Sequence, residues 1–265
     1  MWKRFLSDFK KYYKYSIYSA RASLKSEVAN SYLNWLWWIL EPLCMMMIYT
    51  VIFGKLFNAS EQFFPVYIFI GLTMWDFFNK CIVQSVKLVK GNKAIVAKVY
   101  LPKFILIIVR MMINGFKMMI SWGIIIGMLF AFHVPLSFTY LYFFPILLLL
   151  FLFTFGCCTF LLHYGVYVED LANVVNIAMR LFFYMTGIFY DIEKRAGSAF
   201  GETIGKALNN WNPMAYMISS MRKAILDGDV IHRKFCLFWL AVSLILCFLG
   251  VRKIYKNENS YVKVV

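Results

Sequence analysis

The chain has 265 residues, 62% of them hydrophobic and 15% charged, where a soluble domain has roughly one half and one quarter. Its 28 basic and 13 acidic side chains cannot clothe so much Phe, Leu, Ile and Met in a water-facing shell, so the surrounding medium must be lipid, and a disordered chain or a disulfide scaffold is excluded. The formal charge of +15 falls between long apolar runs and forms no stripe on a polar domain, which argues against a nucleic-acid partner and for loops that orient a membrane protein.

Residues 1–34 precede the first apolar run, and their polar and aromatic composition is not that of a secretory signal. Trp2, Phe5, Leu6, Phe9, Tyr13 and Ile17 recur at helical spacing beside Lys3, Arg4, Lys10, Lys11 and Lys14, which predicts an amphipathic helix in the headgroup plane. The plainer alternative is a basic flank that only fixes topology.

A helix needs about 20 residues to cross the hydrocarbon. Six stretches qualify: 35–53, 64–86, 104–130, 140–162, 171–190 and 235–254. The fold class is therefore an all-α integral membrane protein, with a six-helix domain over 35–254 and a short tail, 255–265. Seven Lys and Arg lie before residue 35, five (Lys87, Lys90, Lys93, Lys98, Lys103) between spans two and three, and four (Arg252, Lys253, Lys256, Lys263) at the C-terminal end. The two short loops on the opposite side carry only Lys55, so both termini are expected in the cytoplasm.

Between spans two and three, residues 87–103 hold five lysines and no acid, broken at Gly91-Asn92 and closed by Pro102. This is either a topogenic loop on anionic lipid or a short helical docking element for a cytosolic partner. Glu169-Asp170, at the turn before span five, reads as capping for the next helix more than as catalysis. The outer segment 191–234 contains Gly197, Gly201 and Gly205 four apart, compatible with closely packed re-entrant or surface helices or with a flexible loop.

Signatures of chemistry are few. The nearest approach to a phosphate-binding loop, Gly201 to Ala207, has Phe200 at the first glycine position and no hydroxyl at Ala207. His133, His163 and His232 are scattered, and the six cysteines sit in or beside apolar runs without zinc spacing, so neither metal nor cofactor is expected. Within the spans lie Glu41, Asp76, Lys80, Arg110, Lys117 and Arg180, of which Asp76 and Lys80 can pair on one face. No lone mid-span acid points to an ion-coupled carrier, and no cluster of His, Asp and Arg to a membrane transferase or phosphatase. Aromatics make up 20% of the chain. Trp35, Trp37 and Trp38 suit an interfacial belt, but Phe182, Phe183 and Tyr184 lie deeper and serve either helix packing or the stacking of sugar rings.

The run Tyr32 to Pro42 resembles the start of the first span in ABC-type polysaccharide export permeases, those serving capsule, O-antigen and teichoic acid. Leu33, Trp37 and Pro42 fit that register, while Asn34 replaces a glycine and Glu27 stands where a basic residue is common. Phe64-Pro65-Val66 with Gly71-Leu72 resembles the opening of the second span. Tyr167 to Leu171 through Thr186 to Tyr190 resembles the fourth-to-fifth junction, with Glu169 in place of an arginine. Trp211-Asn212-Pro213, followed by Arg222 and Gly228, is the most specific match. The resemblance covers nearly the whole chain. It implies a plasma-membrane permease without an enzyme activity or nucleotide site of its own, paired with a second copy of itself around a channel. Two ATP-binding cassette subunits would lie beneath and hold the ATP and Mg, and a polyprenyl-linked glycan would be the substrate; the alternative is an ABC permease of similar architecture for a lipid, drug or peptide. The implied segments are an amphipathic N-terminal helix, a coupling helix at Lys87, Val89, Lys90, Gly91, Asn92, Lys93, Ile95 and Lys98, and a helical hairpin before span six. Tyr49, Phe53, Phe182, Tyr184 and Phe189, on spans one and five, are the expected glycan-path residues.

Overall fold

The computed structural model describes residues 2–29, 32–56, 61–135, 137–230 and 232–264, and these form helices joined by short turns. The side chains of Asn34, Lys55 and Lys263, named above, lie outside the described set. The chain opens with α1 (Trp2–Val28), a 27-residue helix. Among the described residues five further helical segments are long and apolar enough to cross a bilayer. The first, Trp37–Gly54, combines α2 (Trp37–Tyr49) with wider π-helical turns over Thr50–Leu56. The next two are α3 (Phe64–Val86) and α6 (Lys103–Ala131). The fourth joins a 3-10 turn, Phe138–Tyr142, to α7 (Phe143–Tyr167), and the last is α12 (Arg233–Lys256).

Span five departs from expectation. Its helix, α8, runs only Leu171–Met185, 15 residues or about 22 Å, less than the ~30 Å hydrocarbon. The apolar pattern continues to Tyr190, but Gly187 takes a left-handed conformation (φ +66°) and stops the helix. The chain then forms a hairpin of α9 (Ile192–Phe200) and α10 (Glu202–Trp211), turning at Gly201 and packed across Gly197 and Gly205. It re-enters the bundle as α11 (Pro213–Arg222), which ends in π-helical turns over Lys223–Asp227.

Sequence chemistry sets these boundaries. Pro65 occupies the first turn of α3, and Pro102 precedes α6. Asp191 caps α9 by accepting from the backbone N–H groups of Glu193 (2.8 Å) and Lys194 (3.3 Å). Apolar residues cover most of α3, with Asp76, Asn79, Lys80 and Gln84 confined to one face, so it becomes the central helix and packs against α2, α6, α7, α8 and α11. α7 pairs closely with α12. α2 is the peripheral one: among its described residues only Met46 is buried.

The polar contacts sort into two ends. At one, α1 meets the C-terminus: Arg4 donates to Glu258 (2.9 Å) and to the Tyr100 hydroxyl (2.6 Å). The tail predicted over 255–265 includes a docked helix, α13 (Glu258–Val264), whose Tyr261 is buried and bonds His163 at 2.7 Å. At the other end Lys194 pairs with Glu61 (2.9 Å), and the Thr139 hydroxyl donates to the Ala224 carbonyl (2.7 Å). The face of α1 that meets the protein is also offset from the predicted stripe. Phe5, Tyr12, Ser16 and Ala20 turn toward the bundle, whereas Trp2, Leu6 and Tyr13 are about half exposed.

Candidate functional site

The most specific sequence match, Trp211-Asn212-Pro213 with Arg222, folds into a bracket. Pro213 opens α11, and the Asn212 side-chain oxygen accepts from the N–H groups of Met214 (3.1 Å) and Ala215 (3.2 Å). Its amide nitrogen donates to the Met185 carbonyl (3.1 Å), the last residue of α8. One helix length on, the buried Arg222 guanidinium donates to the carbonyls of Tyr67 (3.0 Å), Gly187 (2.9 Å) and Ile188 (2.7 Å) and lies 3.6 Å over the Tyr67 ring. Gly71 makes room for it, since a Cβ there would collide with a guanidinium nitrogen. Both ends of α11 thus hold the broken end of α8, supplying donors to carbonyls that the helix leaves free.

The aromatic residues anticipated on spans one and five come together in part. Phe189, just past the held turn, stacks on Phe53 with ring centres 4.2 Å apart and lies 4.8 Å from Tyr49. Phe182 joins through Trp75 (5.8 Å), and Phe183 links Trp75 (5.5 Å) to Phe189 (5.3 Å). Trp75, on α3, carries no sequence signal of this role, and only packing identifies its place here. Tyr184 meets the rim of this cluster, edge-on to Phe183 (5.4 Å), but is 65% exposed, on a face of α8 that also carries Asn173, Asn176 and Arg180 at helical spacing. Trp37 is half exposed at the start of α2, and Pro42, inside α2, has no N–H for the Trp38 carbonyl.

At the opposite end, the segment expected to couple to a partner forms two short helices, α4 (Leu88–Gly91) and α5 (Lys93–Lys98). Lys87, Gly91, Lys93, Ile95 and Lys98 are exposed. Val89 is 1% exposed and belongs to the bundle core, so it is not part of any docking surface. The Asn92 side chain is spent on the Leu88 carbonyl (2.7 Å). Lys90 pairs with Glu169 (2.9 Å), and its hydrogen bond and charge hold the Glu169 carboxyl below the usual range. The expected capping of α8 by this acid pair is not made: Asp170 sits at the cap position without a side-chain bond, and Glu169 turns to Lys90 instead.

Four of the charges inside the spans, Glu41, Asp76, Lys80 and Lys117, are paired. Lys80 reaches Asp76 (2.8 Å) on its own helix and Glu41 (4.0 Å) on α2, and Lys117 of α6 meets Glu27 of α1 (2.6 Å). No group of His, Cys, Asp and Glu among the described residues has metal-binding geometry.

Residues 17–226 match the ABC-2 type transporter family. An O-antigen export system permease protein RfbA of Klebsiella pneumoniae is 25% identical over 243 residues, 91% of this chain and 91% of that protein. Its namesake in Myxococcus xanthus is 24% identical over 230 residues, 84% of each.

Proposed function

The chain belongs to the ABC-2 type transporter family, and on that premise we propose that it is the membrane subunit of an exporter that moves a lipid-linked polysaccharide outward through the plasma membrane. The observation that carries the reading is the similarity, over 84 to 91% of the chain, to permeases of O-antigen export systems. A partner ATP-binding subunit supplies the energy, ATP and Mg being held there.

The geometry supports this arrangement. The α1, α4, α5 and α13 end carries 16 of the 28 basic residues, against eight at the other, and faces the cytoplasm by the positive-inside bias of the short segments. There the exposed Ile95, Lys87, Lys93 and Lys98 offer a docking surface for the partner. α1 lies at the headgroup level with Trp2, Leu6 and Tyr13 toward lipid. α8 and the turn over 186–191 together complete a sixth crossing. Asn173, Asn176 and Arg180 on the exposed face of α8 are costly against lipid tails and fit a wet channel shared with a second copy.

The test is disruption of the gene with surface polysaccharide as readout. Loss of surface glycan, restored by this chain only with its ATP-binding subunit, and co-purification of the two are expected. Unchanged surface glycan, with loss of a lipid or drug efflux activity, would overturn the polysaccharide reading.

A further inference from the structure

A groove of about 190 Å³ lies between α2, α3 and α6, room for one sugar ring and not for a chain. Its aromatic walls are Trp38 and Tyr49 of α2, Trp75 of α3 and Phe183 of α8. Its polar lining is Asp76, Lys80, Glu41 and Lys117, with Asn114 behind them. We propose that this groove is a binding site for a single neutral sugar ring of the exported glycan, an assignment that rests on the polysaccharide reading above and deepens it.

Three features of the groove point to that ligand. One ammonium, Lys80, serves two carboxylates, through Asp76 Oδ2 and Glu41 Oε1, so their other oxygens, on side chains 54% and 66% exposed, retain accepting capacity beside the aromatic walls. Carboxylate lone pairs held at this level of the bundle call for donors, and sugar hydroxyls supply several at once. The second is Thr73, which is 5% exposed and lines the same groove with a hydroxyl that has no hydrogen-bond partner among the described residues. A buried hydroxyl without a partner is uncommon in native proteins, and a ligand hydroxyl would satisfy it. The third is charge. Glu27, Glu41 and Asp76 face two ammoniums, Lys80 and Lys117, which leaves an excess of negative charge and disfavours a uronate or a phosphorylated sugar.

The walls bring the ring into line with the rest of the bundle. The apolar face of a pyranose fits flat against Trp38 or Trp75, leaving its hydroxyl edge for the carboxylates and Lys80. Tyr49 and Phe183, which line the groove, both touch Phe189, so the groove continues into the aromatic cluster held by α11. A ring bound here would be read for its hydroxyl pattern before it reached rings that tolerate any sugar.

The experiment uses the full chain with its ATP-binding subunit in lipid nanodiscs and follows tryptophan fluorescence, with Trp38 and Trp75 as reporters. The probes are the methyl glycosides of glucose, mannose, galactose and N-acetylglucosamine, with methyl glucuronide as the anionic control and a sugar-free dodecyl polyoxyethylene ether as the apolar control. A saturable response is expected for at least one neutral glycoside, with the glucuronide at least tenfold weaker. Thr73→Val, which keeps the side-chain shape, should weaken it at least threefold at an unchanged melting midpoint, and Asp76→Asn at least tenfold. The proposal is overturned by no saturable response to any neutral glycoside, by responses unchanged in Thr73→Val, by equal binding of the glucuronide, or by a response the ether reproduces. Gene disruption separates the two readings: surface glycan lost on disruption with no glycoside bound removes only the groove, whereas surface glycan retained removes the export reading itself.

Discussion

Arg222 shows how much one side chain can fix when its donors match the acceptors that the backbone leaves over. Its three nitrogens meet three carbonyls on two separate segments, so Arg222→Met strands buried acceptors and should cost about 3 to 5 kcal/mol. Lysine offers one ammonium and no plane to lie on Tyr67, and Arg222→Lys is expected to recover only part of the loss. Gly71→Ala drives a methyl into the guanidinium and should destabilise the native chain by about 1 to 3 kcal/mol, but far less in the Arg222→Met background. Melting midpoints of the native chain, the three single variants and the double variant in nanodiscs check this; strictly additive effects of Gly71→Ala and Arg222→Met would separate Gly71 from Arg222. At the other end Glu169 yields a pH dependence. Its folded-state pKa is depressed by Lys90, so the contribution of the contact is complete above the unfolded glutamate value, about 4.3, and fades as pH falls through the lower folded value. The protection of the α4 amides relative to their intrinsic exchange at each pH should therefore fall only in acid, and Glu169→Gln should remove that change.

The helices themselves were legible where composition alone decides them. Four of the six predicted spans coincide with long helices to within a few residues, and the first begins two residues late, at Trp37, because 3-10 turns precede it. The fifth misled because apolarity says where a helix tolerates lipid but not where it ends: Gly187 and the carbonyl contacts of α11 end α8 at Met185. The coupling segment misled for another reason. Leu88 and Val89 are buried against the bundle while Ile95 is exposed, and a run of lysines and aliphatics carries no sign of which side faces in. This separates two substitutions that the sequence treats alike. Val89→Asp buries a charge in the core, and the protein should fail to accumulate. Ile95→Asp changes an exposed position, so the permease should insert and melt normally yet bind its ATP-binding subunit at least several-fold more weakly in a pull-down. Equal binding by Ile95→Asp would remove α5 from the docking surface.

At the scale of the molecule, the two sorted ends and the peripheral α2 decide what can move and what can be crossed. Single cysteines at Asn92 and Ser198, in a background without the native cysteines, should react with an impermeant maleimide from opposite sides of the membrane; reaction of both from outside would defeat the six-span topology. The path for the glycan is harder to isolate, because the cluster at Tyr49, Phe53 and Phe189 is also packing. Phe53 and Phe189 stack at 4.2 Å, so Phe53→Ala or Phe189→Ala loosens the attachment of α2 and lowers export for structural reasons alone. The sequence could not tell these roles apart, since an aromatic at a given depth is written the same way whether it faces a neighbour or a channel. Tyr184 carries less of that ambiguity, its ring meeting Phe183 edge-on at 5.4 Å. It is 65% exposed and shares its face with Arg180 and Asn176, so Tyr184→Ala removes little packing. If that face lines the path, the variant should melt within a degree or two of the native chain and accumulate normally. It should still export surface polysaccharide several-fold more slowly, because a flat ring holds a sliding sugar without fixing its position. Native melting together with native export would place the path away from α8, and the conservative change Tyr184→Phe, which keeps the ring, distinguishes stacking from the loss of a hydroxyl.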